Sequence, residues 1–180
     1  LQKLANEVRK LSGVISVGGV SHQLGTWADH SGDYKRSAED EAFVMRDFMV
    51  DENYITNLEL TFLAGRNFDV VTEGGSERHV ILNEKALPMF RFTNPLSAIG
   101  QTIYTQDSLM LTVIGVVKDF HFRPLSYEIG PVALRYNLSG LNFLSAKIEH
   151  GQQAVLISSL ETVWQKLDLN HPFEAKMMEA

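Results

Sequence analysis

The feature that most constrains this chain is Thr112–Val117, a short, nearly all-apolar and largely β-branched run broken only by Gly115. Such a run fits a strand buried on both faces better than one wetted on one side. Charge returns at Lys118-Asp119, followed by Phe120-His121-Phe122, two aromatics on one side of an extended segment with a histidine between them. Arg123-Pro124 then turns the chain out of regular pairing, because proline has no N–H and restricts the residue before it. A buried strand that delivers polar residues at its exit serves an active site or a plain hand-over to a loop. The spacing fits both.

With 180 residues, 44% hydrophobic and 21% charged, the chain can form one large domain or two small subdomains with an ample core. A net charge of −6 and scattered Lys and Arg argue against a nucleic-acid partner, which selects a basic face. The absence of cysteine excludes disulfides, thiolate metal sites and a cysteine nucleophile. No apolar run approaches the roughly 20 residues that span a bilayer. The chain starts without Met, inside a helical pattern, so an excised domain is expected.

Leu1, Leu4, Val8 and Leu11 share a helical face, and Gly13 stops that helix before a strand at Val14–Val20. Residues 21–40 form a polar loop with one short extended piece. A strand is expected over 41–50. Asp51 caps a helix at 52–58, and a strand-like piece opens 60–68. Residues 71–78 look like a charged loop. A strand at 79–82 leads to Asn83, expected to cap a helix that Pro88 interrupts. Asn94-Pro95 marks a turn, and 102–105 and the central strand make a hairpin. Further strands are expected at 131–136, 143–148 and 173–178, with a helix over 152–167 whose apolar face is Ile157, Leu160, Trp164 and Leu167. The ends therefore read helix–strand and strand–helix–strand around a strand-rich middle. This is an α+β fold with a discontinuous first subdomain.

Val50-Asp51-Glu52-Asn53-Tyr54, Leu58 and Phe62–Phe68 (FLAGRNF) resemble the "NYF…LG…LLAGRxF" pattern of MacB-like periplasmic core domains of FtsX-like ABC-transporter permeases. Val80–Ala86 (VILNEKA), Ile99-Gly100-Gln101 and Leu111–Phe122 (LTVIGVVKDFHF) are similar to that family's later segments, in the same order. The resemblance covers about residues 47–133. Asn57, Glu59 and Pro88 depart from the pattern. It implies a porter-like βαβ-type subdomain from residues 1–32 and 138–180, and a β-rich, Sabre-like inserted subdomain from 33–137. It further implies an extracytoplasmic location, no catalytic residue, no cofactor, and a cytoplasmic ABC ATPase domain or subunit as the motor. A second permease copy and a periplasmic adaptor are the other implied partners.

Asp119 and His121, i and i+2 on a strand, are the best catalytic-looking pair. They have no third partner and no nucleophile motif, so structural use is favoured. His22 and His30 share a loop with Asp29 and Asp33, in a spacing that fits no metal motif. His79, His150 and His171 are isolated in sequence. Gly65-Arg66 reads as a turn glycine beside an arginine paired to an acid. Trp27, in a Gly/Asp/Ser loop with few packing partners, is the candidate partner contact. Two other readings compete with the transporter. An extracytoplasmic ligand-binding sensor would need a concave pocket. A metal-dependent hydrolase would need Asp119 and His121 together.

Overall fold

The computed structural model describes residues 1–26, 30–73, 77–167 and 172–177. Its strands are β1 (Val14–Val20), β2 (His30–Lys35), β3 (Phe43–Val50), β4 (Phe62–Gly65), β5 (His79–Asn83), β6 (Thr102–Thr105), β7 (Met110–Val117), β8 (Val132–Tyr136) and β9 (Phe143–Ile148). The α-helices are α1 (Gln2–Val8), α2 (Glu52–Asn57), α3 (Val70–Glu73), α4 (Pro95–Ala98) and α5 (Gln153–Leu167).

One hydrogen-bonded path runs β2-β6-β7-β5-β8-β3-β1-β9, and β2 also pairs with β3. That last pairing joins the ends of β2-β6-β7-β5-β8-β3 into a closed barrel, which leaves those strands no unpaired edge of the sheet. The central run is therefore a barrel stave, with β5 on one side and β6 and β4 in succession along the other. Its burial on both faces follows from strand alternation. Leu111, Val113 and Val116 join the interior cluster with Val80, Leu82, Ala133 and Ile103, while Ile114 and Val117 face an outer cluster with Ile81, Phe48, Leu134 and Ile55. A register shift between Val80 and Ile81, opposite Val113 and Gly115, keeps Val113 and Val116 on one face although they are three apart. The 3₁₀ segment Glu84–Phe90 fills one end of the barrel with Ala86, Leu87 and Phe90.

β1 touches the barrel through a single registered pair, Val20 with Val50. Its other edge pairs along its length with β9, and α1 and α5 pack on this two-stranded ladder through Ala5, Val8, Leu4 and Leu160. The α1–β1 and β9–α5 turns meet where Glu149 N donates to Gly13 O at 2.8 Å.

Several expectations need correction. On α5 the inward residues are Leu156 and Leu160, whereas Ile157 is 37% and Leu167 43% exposed. Leu156 lies near Gly13, at the turn where the chain enters α5. No strand follows within residues 172–177; Phe173 instead lies against Trp164, ring centres 6.4 Å apart. The expected charged loop after Val71 contains α3, whose first turn is started by Asp69 Oδ1 accepting from Val71 N at 2.8 Å. Asn94-Pro95 opens α4 through a capping box, Asn94 Oδ1 accepting from Ser97 N and Ser97 Oγ from Asn94 N.

Asp51 does cap α2. Its Oδ1 accepts from Tyr54 N and its Oδ2 from Gly19 N, both at 2.8 Å, which ties α2 to β1. Burial raises the pKa of this carboxyl, and the bonds from Tyr54 and Gly19 only partly oppose the rise. With the folded pKa above the unfolded one, Asp51 contributes stability at acid pH that is lost as pH rises from the ordinary carboxylate value through the raised one. Subtracting the pH–stability curve of Asp51→Asn from that of the wild type should leave a slope downward with rising pH in that window. A flat difference would contradict it.

Candidate functional site

β2, β3 and β8 carry Tyr34, Asp47 and Arg135 in phase with interior neighbours Met45 and Ala133, so alternation aims these polar groups into the barrel. Asp47 is fully buried and accepts three bonds. These come from His30 Nδ1 at 2.5 Å, Tyr34 OH at 2.6 Å and an Arg135 guanidinium nitrogen at 3.0 Å. Arg135 Nε donates to Glu77, whose other oxygen accepts from Asn137 Nδ2 at 3.3 Å. One guanidinium thus serves two carboxylates at the end of the barrel opposite the 3₁₀ plug. Burial, then Asp47, push the Tyr34 phenol far above its usual pKa, so it stays a neutral donor. Burial works against the Arg135 cation, but the Glu77 carboxylate and the bonds to it and to the Tyr34 oxygen outweigh it, and the guanidinium stays charged. The arrangement fastens three strands electrostatically. Sequence reasoning missed it because its members are far apart in the chain; an aspartate inside the apolar alternation of Phe43–Val50 was the available signal.

A second polar group sits at the other end of the central stave. β7 ends at Val117, so Asp119 and His121 are not on a strand. Asp119 Oδ1 accepts from Asn83 Nδ2 at 2.8 Å and Lys85 N at 3.0 Å, while His121 is exposed. Asp119 thereby supplies the cap to the 3₁₀ segment that was expected of Asn83. Asn83 instead joins Asp119, Gly130 O and, through its Oδ1, Val132 N. The structure does not bring the Asp119–His121 pair together.

The His22 and His30 rings stack at 6.2 Å, but His30 is engaged by Asp47; Asp29 lies outside the described residues. Among the described residues no group of three or more His, Asp or Glu side chains is placed to hold a metal ion. His79 is not isolated: its Nδ1 lies 2.8 Å from Glu73 Oε1, and Glu73 is only 1% exposed. Nearby, burial and then Glu52 push the Tyr136 phenol up to about 12. Gly65 takes a left-handed φ of +77°, as a turn glycine should, but Arg66 donates to Asn67 O rather than to an acid. Trp27 lies outside the described residues. Two open surface depressions lie among the described residues. One borders Arg9, whose guanidinium is already bonded to Asn6 and Val17 O, and the other borders Gly65 and Ile114.

No protein-family model matches the chain, and no characterised protein matches it by sequence. The fold does match solved structures. It is similar to the periplasmic region of MacB from Actinobacillus actinomycetemcomitans, with TM-score 0.69 and 19% identity over 92% of this chain and 73% of that one. The extracellular domain of the noncanonic ABC-type transporter YknZ from Gram-positive bacteria gives 0.64 and 16%, covering 92% of this chain and 81% of that one. A domain of a putative permease from Porphyromonas gingivalis gives 0.60 and 11%, covering 88% and 73%. The class is therefore an α+β extracytoplasmic-domain fold shared by transporter permeases. In particular, the chain has the fold of MacB-like periplasmic domains, the one its motifs resemble.

Proposed function

We propose that this chain is the extracytoplasmic, periplasmic domain of an ABC-transporter permease, without catalysis of its own, that couples ATP hydrolysis in the cytoplasm to export or mechanical work outside the membrane. The observation that carries this reading is a shared fold over 92% of the chain with the MacB periplasmic region. The ordered sequence motifs around the central stave support it independently. Its partners are a cytoplasmic ABC ATPase domain or subunit, a second permease copy and a periplasmic adaptor. The acidic surface, net −6, suits none of the usual nucleic-acid contacts.

In this reading residues 1–32 and 138–180 form the porter-like subdomain and 33–137 the Sabre-like insertion. Residue 32 falls within β2, so in whole strands the insertion runs from β2 to β8, and α2 within it packs on β1. Within the same reading Trp27 contacts the partner, so Trp27→Ala should weaken the complex at unchanged melting temperature; an unchanged complex removes that role.

The test is to express the full reading frame, fractionate the cells and affinity-purify the protein from detergent. A membrane-bound product that brings down an ABC ATPase is the expected result. A product without apolar spans of roughly 20 residues, or with no associated ATPase, would overturn the reading.

A further inference from the structure

β1 meets the barrel in register at Val20 and Val50, and the chain crosses back beside that pair. There Asn142 N donates to Val20 O at 3.0 Å and Asn142 Nδ2 to Ser21 O at 3.1 Å. Contacts gathered at one end of a ladder form a hinge line, about which two packed parts swing unless something holds them further along. α2 is placed to do that. Its side chains Tyr54 and Ile55 belong to the outer cluster of the barrel with Phe48, Ile81 and Leu134, and Asn67 Nδ2 donates to Glu52 O at 2.9 Å. Its backbone also lies against the ladder, so closely that a Cβ at Gly18 would stand 2.3 Å from Tyr54 N.

The hold continues at the far end of α2. Asn57 Oδ1 accepts from Ser16 Oγ on β1, and its Nδ2 donates to Ser145 O on β9 at 3.0 Å, so one amide joins both strands of the ladder. Two residues on, Glu59 takes a left-handed φ of +51°, the conformation in which a helix end usually places glycine. What a glutamate adds over glycine there is its carboxylate, which accepts from Lys147 Nζ, on the register partner of Ser16. Ser16 stands four residues before Val20 on β1, about 13 Å along an extended strand. These bonds therefore act well away from the hinge line, where a bond resists swinging most.

We propose that α2 and the turn after it are a clasp that locks the β1–β9 ladder to the barrel as one rigid body, with Asn57 and Glu59 as its positioning residues. The inference goes beyond the transporter reading and does not depend on it. In a permease such a clasp passes a displacement of the ladder on to the barrel undamped.

The chain has no cysteine, so introduced cysteines carry nitroxide labels at chosen positions only. One pair, Val155→Cys with Met110→Cys, spans from α5 on the ladder to β7 of the barrel. A reference pair, Val155→Cys with Ile15→Cys, stays within the ladder and its helix. All three side chains are exposed. Distances between the labels are read by pulsed electron double resonance. The spanning pair should give one narrow distribution in the otherwise unchanged chain. With Asn57→Ala/Glu59→Gly that distribution should widen about twofold while the reference pair stays narrow. Lys10→Ala, which removes only a local ion pair to Glu7, should leave both distributions as they are. A spanning pair already broad before any change, no widening in the double variant, or the same widening with Lys10→Ala would overturn the proposal. So would equal widening of both pairs, which would mark a loosened fold and not an unlocked joint.

Discussion

Asp47→Ala should lower the stability of this domain by about 3–5 kcal/mol, the cost of breaking a buried ion pair from one side. For a chain of this size that is a drop on the order of 10 °C or more in melting temperature. The carboxylate is 0% exposed and holds three donors at once, so its removal leaves the Tyr34 hydroxyl, itself 0% exposed, without its acceptor. Arg135, with a side chain 12% exposed, keeps only Glu77 as a carboxylate partner. His30→Ala should cost much less, because that side chain is 55% exposed and water can replace its contacts. Removing both charges, as in Asp47→Leu with Arg135→Met, should cost less than the two single changes summed, since no unpaired ion is then buried. Urea unfolding of Asp47→Ala, His30→Ala, Asp47→Leu, Arg135→Met and the double change checks this. A loss below about 1 kcal/mol for Asp47→Ala would show that the pair carries little of the barrel's stability.

Gly18→Ala is the second change expected to be severe. A Cβ there would lie 2.3 Å from Tyr54 N and 2.5 Å from Tyr54 Cα, so it meets backbone and not a side chain that could swing aside. α2 would have to lift off β1, taking with it the Asp51 carboxylate that accepts from Gly19 N. Overpacking commonly costs 1–3 kcal/mol, and a backbone clash that also strains a cap should reach about 3 kcal/mol. Gly130→Ala is the matched control. Its nearest neighbour would be Phe122 at 4.0 Å, ordinary contact, and its stability should stay within about 0.5 kcal/mol of the wild type. Equal melting temperatures for Gly18→Ala and the wild type would mean that α2 does not press on β1 as closely as described.

The strands were legible where hydrophobic periodicity was strong. Thr112–Val117 announced its double burial through a nearly all-apolar run, and Asp51 announced α2 through capping chemistry that needs only local residues. What the sequence withheld was anything decided across distance. The closure of the barrel depends on β2, a polar strand of the residues HSGDYK whose pairing with β3 and β6 leaves no apolar alternation to read. The Asp47–Arg135 pair joins residues too far apart for any spacing rule, and Asn83 looked like a helix cap because its distant acceptors were invisible. On α5 the expected stripe ran through Ile157, whereas the buried residue is its neighbour Leu156, a choice set by packing against α1 and β1.

The closed barrel also sets an order of assembly. β3 must pair in parallel with β8, Arg46 beside Val132, before the ring is complete, and such long-range pairing is slow because loop-closure entropy precedes the reward. The β1–β9 ladder reaches further still, from Val14 to Ile148. β1 therefore waits for β9, while the strands that close the barrel lie between them in the chain. During that wait the apolar face of β1 is the part of the nascent chain most open to mispairing, and a chaperone that shields residues 14–20 would do most for its yield.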